Sequence, residues 1–457
     1  MAEPRHSSLR LLAYASPSIP IAALGLPLAV HLPAFYAGSM GLGLATVGTI
    51  FFLARLFDVV IDPMLGILSD KIDTRWGRRR IWMTLSVPIL LVSSYFIFMP
   101  TAPVTANYLL YGLFGLYLGF TMMLLAHMSW GAELSDEYDE RSRIQAWREG
   151  LTTIGVPLVL MLPAIIDGIG GEHMEGRGVA VMGWFIILSL PVTVFFAVTG
   201  MGERKVRPQP KISPREAIGP LLNNHALQRL VLADFVSGFS GSAIGAMFIY
   251  EATYIWQVGH QANLLLLLYF FAGVGFIPLV LKLSYRFGKH RTMIGASLFN
   301  VAFVPTLFLI PPGNVYIAAL VLLFLGVNVA SPAVLYRSIM ADVGDYDEVH
   351  TGQRRTGLFF ALLTFSSKVG SAIAIGVAFW ALDFIGFKPG GENAVGTLRH
   401  VNVLYVSIPF ICNLAVAGLM WGFPIGLKEQ RELRRILDER FVEEAESIEQ
   451  PASIIPG

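Results

Sequence analysis

The chain is a succession of apolar runs separated by short polar stretches. Windows of about 20 apolar residues, long enough to cross the hydrocarbon core of a bilayer, lie at 11–36, 43–68, 81–100, 106–132, 144–167, 179–201, 226–257, 263–286, 292–311, 314–340, 355–386 and 400–427. They predict an all-α membrane protein of twelve transmembrane helices. The first run holds Pro17, Pro20, Pro27 and Pro33 and is too long and too broken for a removable signal peptide. The polar stretches alternate in charge. Arg75, Arg78, Arg79 and Arg80 follow the second run, Arg141 and Arg143 the fourth, Arg204, Lys205 and Arg207 the sixth, and Lys428, Arg431, Arg434 and Arg435 the twelfth. The opposite loops hold only Arg177, Lys388 and Arg399. Basic loops stay on the cytoplasmic side, so both termini are expected in the cytoplasm, which an even helix count also requires.

Composition narrows the function. Of 457 residues, 54% are hydrophobic and 14% charged, against about 25% charged in soluble domains, which excludes a soluble enzyme. A net charge of +1 carries no nucleic-acid signature, and the single cysteine, Cys412, can form no internal disulfide. No metal-ligand cluster, nucleophile elbow or nucleotide motif occurs, so neither an enzyme nor a cofactor is expected. The charges inside the apolar runs carry the chemistry. In the second run Arg55, Asp58 and Asp62 stand three and four residues apart and project from one helix face. Each ionised carboxylate at membrane depth costs at least ~2.5–3.5 kcal/mol. Such charges face a bundle interior and pair with one another or with a moving ion. Arg55 is the helix's own charge partner, and one cation leaves the second Asp available.

Two motifs repeat. Trp76-Gly77-Arg78-Arg79-Arg80 after the second run reappears as Phe287-Gly288-Lys289-His290-Arg291 after the eighth, an interval of 211 residues between the glycines. Glu133 to Arg141 after the fourth run, with Asp136 inside it, is echoed by Asp342, Asp345, Asp347 and Glu348 after the tenth, with 209 residues from Asp136 to Asp345. Two unrelated motifs at nearly one interval indicate a duplicated six-helix unit, the plan of major-facilitator carriers, whose substrate site lies between two parallel repeats near the midplane. The expected division is an N-terminal bundle 1–202, a cytoplasmic linker 203–224, a C-terminal bundle 225–427 and a cytoplasmic tail 428–457.

The motifs Ala54-Arg55-x-x-Asp58-x-x-x-Asp62-Pro63-x-x-Gly66, Gly131-Ala132-Glu133-Leu134 through Trp147-Arg148-Glu149, and Ala341-Asp342-x-x-Asp345-Tyr346 through Arg354-Arg355-x-Gly357 to Lys368-x-Gly370 resemble the glycoside–pentoside–hexuronide:cation symporter family, which includes the bacterial melibiose carrier. They span both halves in the family's order. The resemblance implies that Asp58 and Asp62 bind the coupling cation, a monovalent ion. A polar cation ligand of sodium-coupled members falls at Ile61 and a hydroxyl of the fourth helix at Met123, so the proton is the favoured coupling ion and Na+ the alternative. Two sugar-binding carboxylates fall at Ala22 and Ala126 and a glutamine at Leu363. Trp130, Arg148, Thr364 and Lys368 remain as candidate substrate residues, and the cations without the acids suggest an anionic or less polar solute; the alternative role for Lys368, which the family also suggests, is electrostatic support of the cation site.

Glu251 in the seventh run is an intramembrane acid outside these motifs and is a further substrate or proton-relay candidate, although its position near the extracellular end also allows it to reach water. His127, beside Ala126, is a candidate cavity residue. His31 reads as a hydrogen-bonded helix residue, and Asp234 as a solvated one. Asp70, Arg78, Glu133, Asp136, Arg141, Asp342, Asp345 and Arg354 lie where the two halves would meet on the cytoplasmic side and form a candidate ionic gate. The expected function is secondary symport of a sugar-like solute, a glycoside or anionic sugar, with a cation by alternating access. The expected partners are the small-molecule solute, the cation and the lipid bilayer, with the chain acting as a monomer in a bacterial cytoplasmic membrane. A carrier of lysophospholipid-type amphiphiles is the alternative, followed by a non-transporting sensor or scaffold.

Overall fold

A computed structural model describes residues 6–72, 74–135, 137–170, 175–204, 219, 224–353 and 355–449. All regular elements of the described chain are helices. The helices are α1 (Ser8–Ala37), α2 (Leu44–Lys71), α3 (Arg79–Phe98), α4 (Ala106–Glu133), α5 (Tyr138–Gly170) and α6 (Glu175–Gly200) in the first half. The second half holds α7 (His225–Ile255), α8 (Gly259–Phe287), α9 (Lys289–Leu309), α10 (Val315–Thr351), α11 (Thr356–Phe384) and α12 (Val395–Met420), and α13 (Leu427–Glu449) follows. Eleven helices among the described residues are long and apolar enough to cross a membrane. The other long helix of the first half, α5, has 33 residues, and most of its charges precede Gly150. Most of the expected linker, 205–218 and 220–223, lies outside the described residues, as do Asp136 and Arg354 of the expected gate.

Prolines sit inside α2, α3, α5, α6, α8, α10 and α12. Membrane helices tolerate them because neighbouring helices and local π or 3₁₀ turns satisfy the freed backbone groups. Two such π turns fall in the first helix of each half, Pro27–His31 in α1 and Glu251–Ile255 in α7.

The internal repeat is visible in the ion pairs. Gly77 and Gly288 both adopt positive φ (112° and 89°) just before α3 and α9, a conformation glycine takes without steric cost. Each glycine presents the next residue, a base, to an acid on the helix that follows, Glu133 on α4 and Asp342 on α10. Arg78 meets Glu133 at 2.7 Å, and Lys289 meets Asp342 at 2.7 Å. Two halves built to one plan have kept the same inter-helix bridge.

The halves meet at the face opposite the termini and separate at the termini face. One apolar core runs continuously from the first half into the far ends of α7, α9, α10, α11 and α12, through Met247, Phe248, Val304, Leu322, Phe379 and Tyr405. A second core, with Leu227, Leu335, Met340, Phe423 and Leu433, belongs to the second half alone and fills its termini-side ends. At the far face small residues bring α2 and α11 together. A Cβ on Gly48 would lie 2.7 Å from the Phe379 Cβ, and one on Gly376 3.2 Å from the Phe52 Cβ, the close approach that small residues permit between membrane helices. Trp380 Nε1 donates to Thr49 Oγ1 at 3.0 Å, and His31 Nε2 lies 2.7 Å from Asn263 Oδ1, both across the interface.

Candidate functional site

The carboxylates of α2 meet a cation from the other half. Lys368 on α11 places Nζ 3.1 Å from Asp58 Oδ2 and 2.5 Å from Asp62 Oδ2. Glycines explain how α11 delivers it. Gly370 packs so tightly on α7 that a Cβ there would overlap the Phe235 carbonyl oxygen, and a Cβ on Gly238 would lie 2.8 Å from the Ser367 carbonyl oxygen. Asp58 is almost fully buried, at 1% exposure. Its second oxygen accepts a hydrogen bond from the Thr121 hydroxyl on α4 at 2.7 Å. Arg55 Nη1 stands 4.0 Å from Asp58 Oδ2, with its guanidinium over the Tyr117 ring, 5.0 Å from the centroid. The Oδ1 of Asp62 is buried without a hydrogen-bond partner. Two acids, two bases and a hydroxyl therefore form one cluster that joins both halves.

This arrangement corrects two expectations. Asp62 is not left over by Arg55, because Lys368 supplies a second cation from 306 residues away. The fourth helix does bring a hydroxyl to the cluster, from Thr121, while Met123, where the resemblance draws it, is fully buried. Ile61, also buried, offers no ligand atom.

The expected substrate residues divide. Arg148 on α5 bonds the neighbouring Glu149 carboxylate, and its Nε is buried without a partner. Glu149 itself is 57% exposed and was not among the expected residues; as the immediate neighbour of an expected cation it could have been. Thr364 is exposed and its hydroxyl returns to the Phe360 carbonyl at 3.0 Å. Trp130 is fully buried against Tyr14, edge to face at 5.6 Å between centroids. His127 lies in the α1–α4 packing instead of a cavity: its Nε2 is 2.9 Å from the Tyr14 carbonyl oxygen, and the Tyr14 hydroxyl donates to the His127 carbonyl at 2.9 Å. Ala126 is buried, and Ala22 packs on α5 opposite Gly155. Asp234, expected to be solvated, is buried. Glu251 does not reach water; it has 0% exposure and neither carboxylate oxygen has a hydrogen-bond partner.

Among the described residues, Arg79, Glu133, Asp342 and Asp345 each have an ion-pair partner in their own half. Arg79 binds Asp70 and Glu133, each at 2.7 Å, and is more deeply buried than Arg78, which shares Glu133. Arg141 Nε donates to the Ser135 carbonyl at 2.9 Å. In the second half Asp342 binds Lys289, and Asp345 lies 2.9 Å from Arg434 of α13. Arg355, outside the expected set, bonds Asp347 through two 3.0 Å contacts.

Comparison with known proteins identifies the family. The description MFS/sugar transport protein matches residues 13–426, nearly the whole chain. The chain belongs to that family. Among its relatives, an uncharacterized symporter, YjmB, of Bacillus subtilis is 24% identical over 90% of this chain and 90% of its own. The glucuronide carrier protein homolog of Escherichia coli is 23% identical over 90% of this chain and 91% of its own. Among solved structures, a D-xylose–proton symporter superposes with TM-score 0.64 at 14% identity, covering 92% of this chain and 98% of its own; at that identity the likeness establishes the fold. This member of the MFS/sugar transport family is thus a multi-pass membrane transporter and not an enzyme.

Proposed function

We propose that the chain couples entry of a cation to uptake of a sugar-like solute, a glycoside or an anionic sugar, by alternating access, with both termini in the cytoplasm. The observation that carries this reading is the bridge from Lys368 of one half to Asp58 and Asp62 of the other. With the basic loops cytoplasmic, the conformation is closed outside and parted inside. Lys368 then occupies the place a cation would take between the two carboxylates. Incoming positive charge competes with the ammonium, so the binding state of the acids and the strength of the contact between halves change together. That linkage is what converts a cation gradient into a bias on the alternation.

The proton is the coupling ion in this reading, because a proton needs one carboxylate and Ile61 supplies no oxygen. The Thr121 hydroxyl favours a second reading: with two carboxylates it provides enough oxygen atoms in one place to hold Na+. The solute reading rests on Arg148 and Glu149, a charged pair that offers both donor and acceptor atoms to hydroxyl and acid groups, and on likeness to a relative named for glucuronide carriage. The test is uptake by Asp58→Asn and Asp62→Asn in membrane vesicles. Both variants should lose gradient-driven accumulation while retaining solute exchange. Full accumulation by both would remove the cation assignment, and Na+ stimulation without solute-driven alkalinisation would replace the proton by Na+.

A further inference from the structure

We infer that Glu251 is a second proton-binding site, and that the face opposite the termini closes only when this carboxyl group is protonated. The inference rests on the reading of the chain as an alternating-access carrier; it is independent of which ion Asp58 and Asp62 hold. Glu251 opens the π turn Glu251–Ile255 at the far end of α7. Its neighbours Tyr250, Thr253 and Tyr254 line a cleft of about 310 Å³ between the two halves at that face. Glu251 is itself not part of the cleft lining, but its chain neighbours are, so the carboxyl group sits on the helix segment that borders the cleft. Inside, Trp256 is fully buried and Tyr405 nearly so.

An isolated carboxylate cannot stay ionised in such a place. Removing it from water without a hydrogen bond or counter-charge is among the most expensive steps in a protein interior, and the group neutralises instead. Neither oxygen of Glu251 has a hydrogen-bond partner. The titratable groups on the surrounding elements offer no compensating charge. Tyr250 and Tyr254 on its own helix are phenols, and Tyr405 on α12 is a phenol beside Tyr269 of α8. His260 lies on the turn that starts α8, Lys388 is exposed on the loop after α11, and Arg399 and His400 are exposed at the start of α12. His31 of α1 is engaged with Asn263. A lone carboxyl group offers a metal ion no coordination shell, whereas it binds a proton outright.

The proton's path follows from the geometry. When the far face opens, water reaches Glu251 and the group exchanges its proton with the outside solution. Closure dries the site and traps the neutral acid; a carboxylate left charged blocks closure. π turns in helices recur at functional sites, and this one lies at the far end of α7, next to the cleft between the halves.

The test uses the full chain with Cys412→Ala and spin labels at Thr46→Cys and Glu392→Cys, exposed positions on the two sides of the far face, in lipid nanodiscs without solute. Raising the pH should convert the short inter-label distance to a long one, the closed-to-open ratio falling about tenfold per pH unit once the group titrates. Glu251→Gln, neutral at every pH and of the same shape, should keep the short distance at alkaline pH. The infrared carbonyl band of a neutral carboxylic acid should be present in the closed protein and lost in Glu251→Gln. An alkaline response that persists in Glu251→Gln, or a pH-independent distance in the unsubstituted background, overturns the inference. So does an alkaline response that vanishes in Asp58→Asn or Asp62→Asn but not in Glu251→Gln. If those two variants accumulate solute normally, the coupling assignment falls while Glu251 is judged on the labels and the infrared band.

Discussion

In the proposed cation site Thr121 orients Asp58. Its hydroxyl donates to one oxygen while Lys368 and Arg55 address the other, so a cation entering the cluster meets an acid already oriented. A hydrogen bond to a charged group contributes roughly 1.5–3 kcal/mol. Thr121→Val should therefore weaken cation binding about ten- to a hundredfold, and Thr121→Ser should stay near the parent, as read by titration of cation-dependent solute binding. Equal affinities in Val and Thr proteins would show that the hydroxyl only packs. At Arg148 the same arithmetic applies to the solute: Arg148→Ala should weaken binding of an anionic sugar by about one to two decades. Arg148→Lys should restore only part of this, because lysine lacks the planar fork. Thermal stability measured alongside separates this from a loss of α5 packing; if neutral and anionic analogues lose affinity equally, the anionic reading of the solute fails.

Helix ends were the least legible elements. Glu203, just past α6, accepts the main-chain N–H groups of Arg78 and Arg79 at 2.5 and 2.8 Å, and that of Arg80 as well. A carboxylate at a helix N-terminus satisfies donors that have no partner within the helix and complements its dipole. Glu203→Ala should lower stability by about 1–2 kcal/mol, read as a fall in the thermal midpoint with the solute preference unchanged; an unaltered midpoint would mean water replaces the cap. Nothing in the sequence joins residue 203 to residue 78, because the contact depends on α3 and α6 lying side by side. The carboxylates of α2 were legible, since three charges on one apolar face stand out at any register. Lys368 was legible as a charge, and its support of the cation site was open from the family resemblance, but that partnership was not decided: it is fixed by the α2–α11 crossing, which Gly48 and Gly376 set by what they lack. The candidate gate charges were visible because their motifs recur after matching helices of the two halves. Their partners were not, because which acid a loop base meets depends on how the helices of its own half pack.

At the scale of the molecule, two ionic systems lie at different depths and are in different states. At the termini face matched bridges from Arg78 and Lys289 lie within each half, while the Lys368 cluster spans the halves. The contact between halves thus holds an electrostatic component that disappears if its one ammonium is removed. Lys368→Met leaves Asp58 and Asp62 facing α11 with no charge from the second half, and Arg55 alone cannot neutralise both. Breaking a buried pair typically costs 3–5 kcal/mol. Lys368 and Asp62 each retain 23% side-chain exposure, so about 2 kcal/mol is the appropriate order for this site. That corresponds to a shift of roughly thirtyfold in the closed-to-open ratio of the far face. Distance measurements across that face in Lys368→Met should show the open population rising in the absence of coupling cation. Supplying the cation, by acid or by Na+ according to which ion the site takes, should restore closure by neutralising the acids that the ammonium no longer serves. The variant should still bind solute but lose gradient-driven accumulation, since cation occupancy and contact between halves are no longer in competition. If Lys368→Met is as closed as the parent without cation, the far face is held by apolar packing alone. The bridge would then be a consequence of closure with no part in setting it.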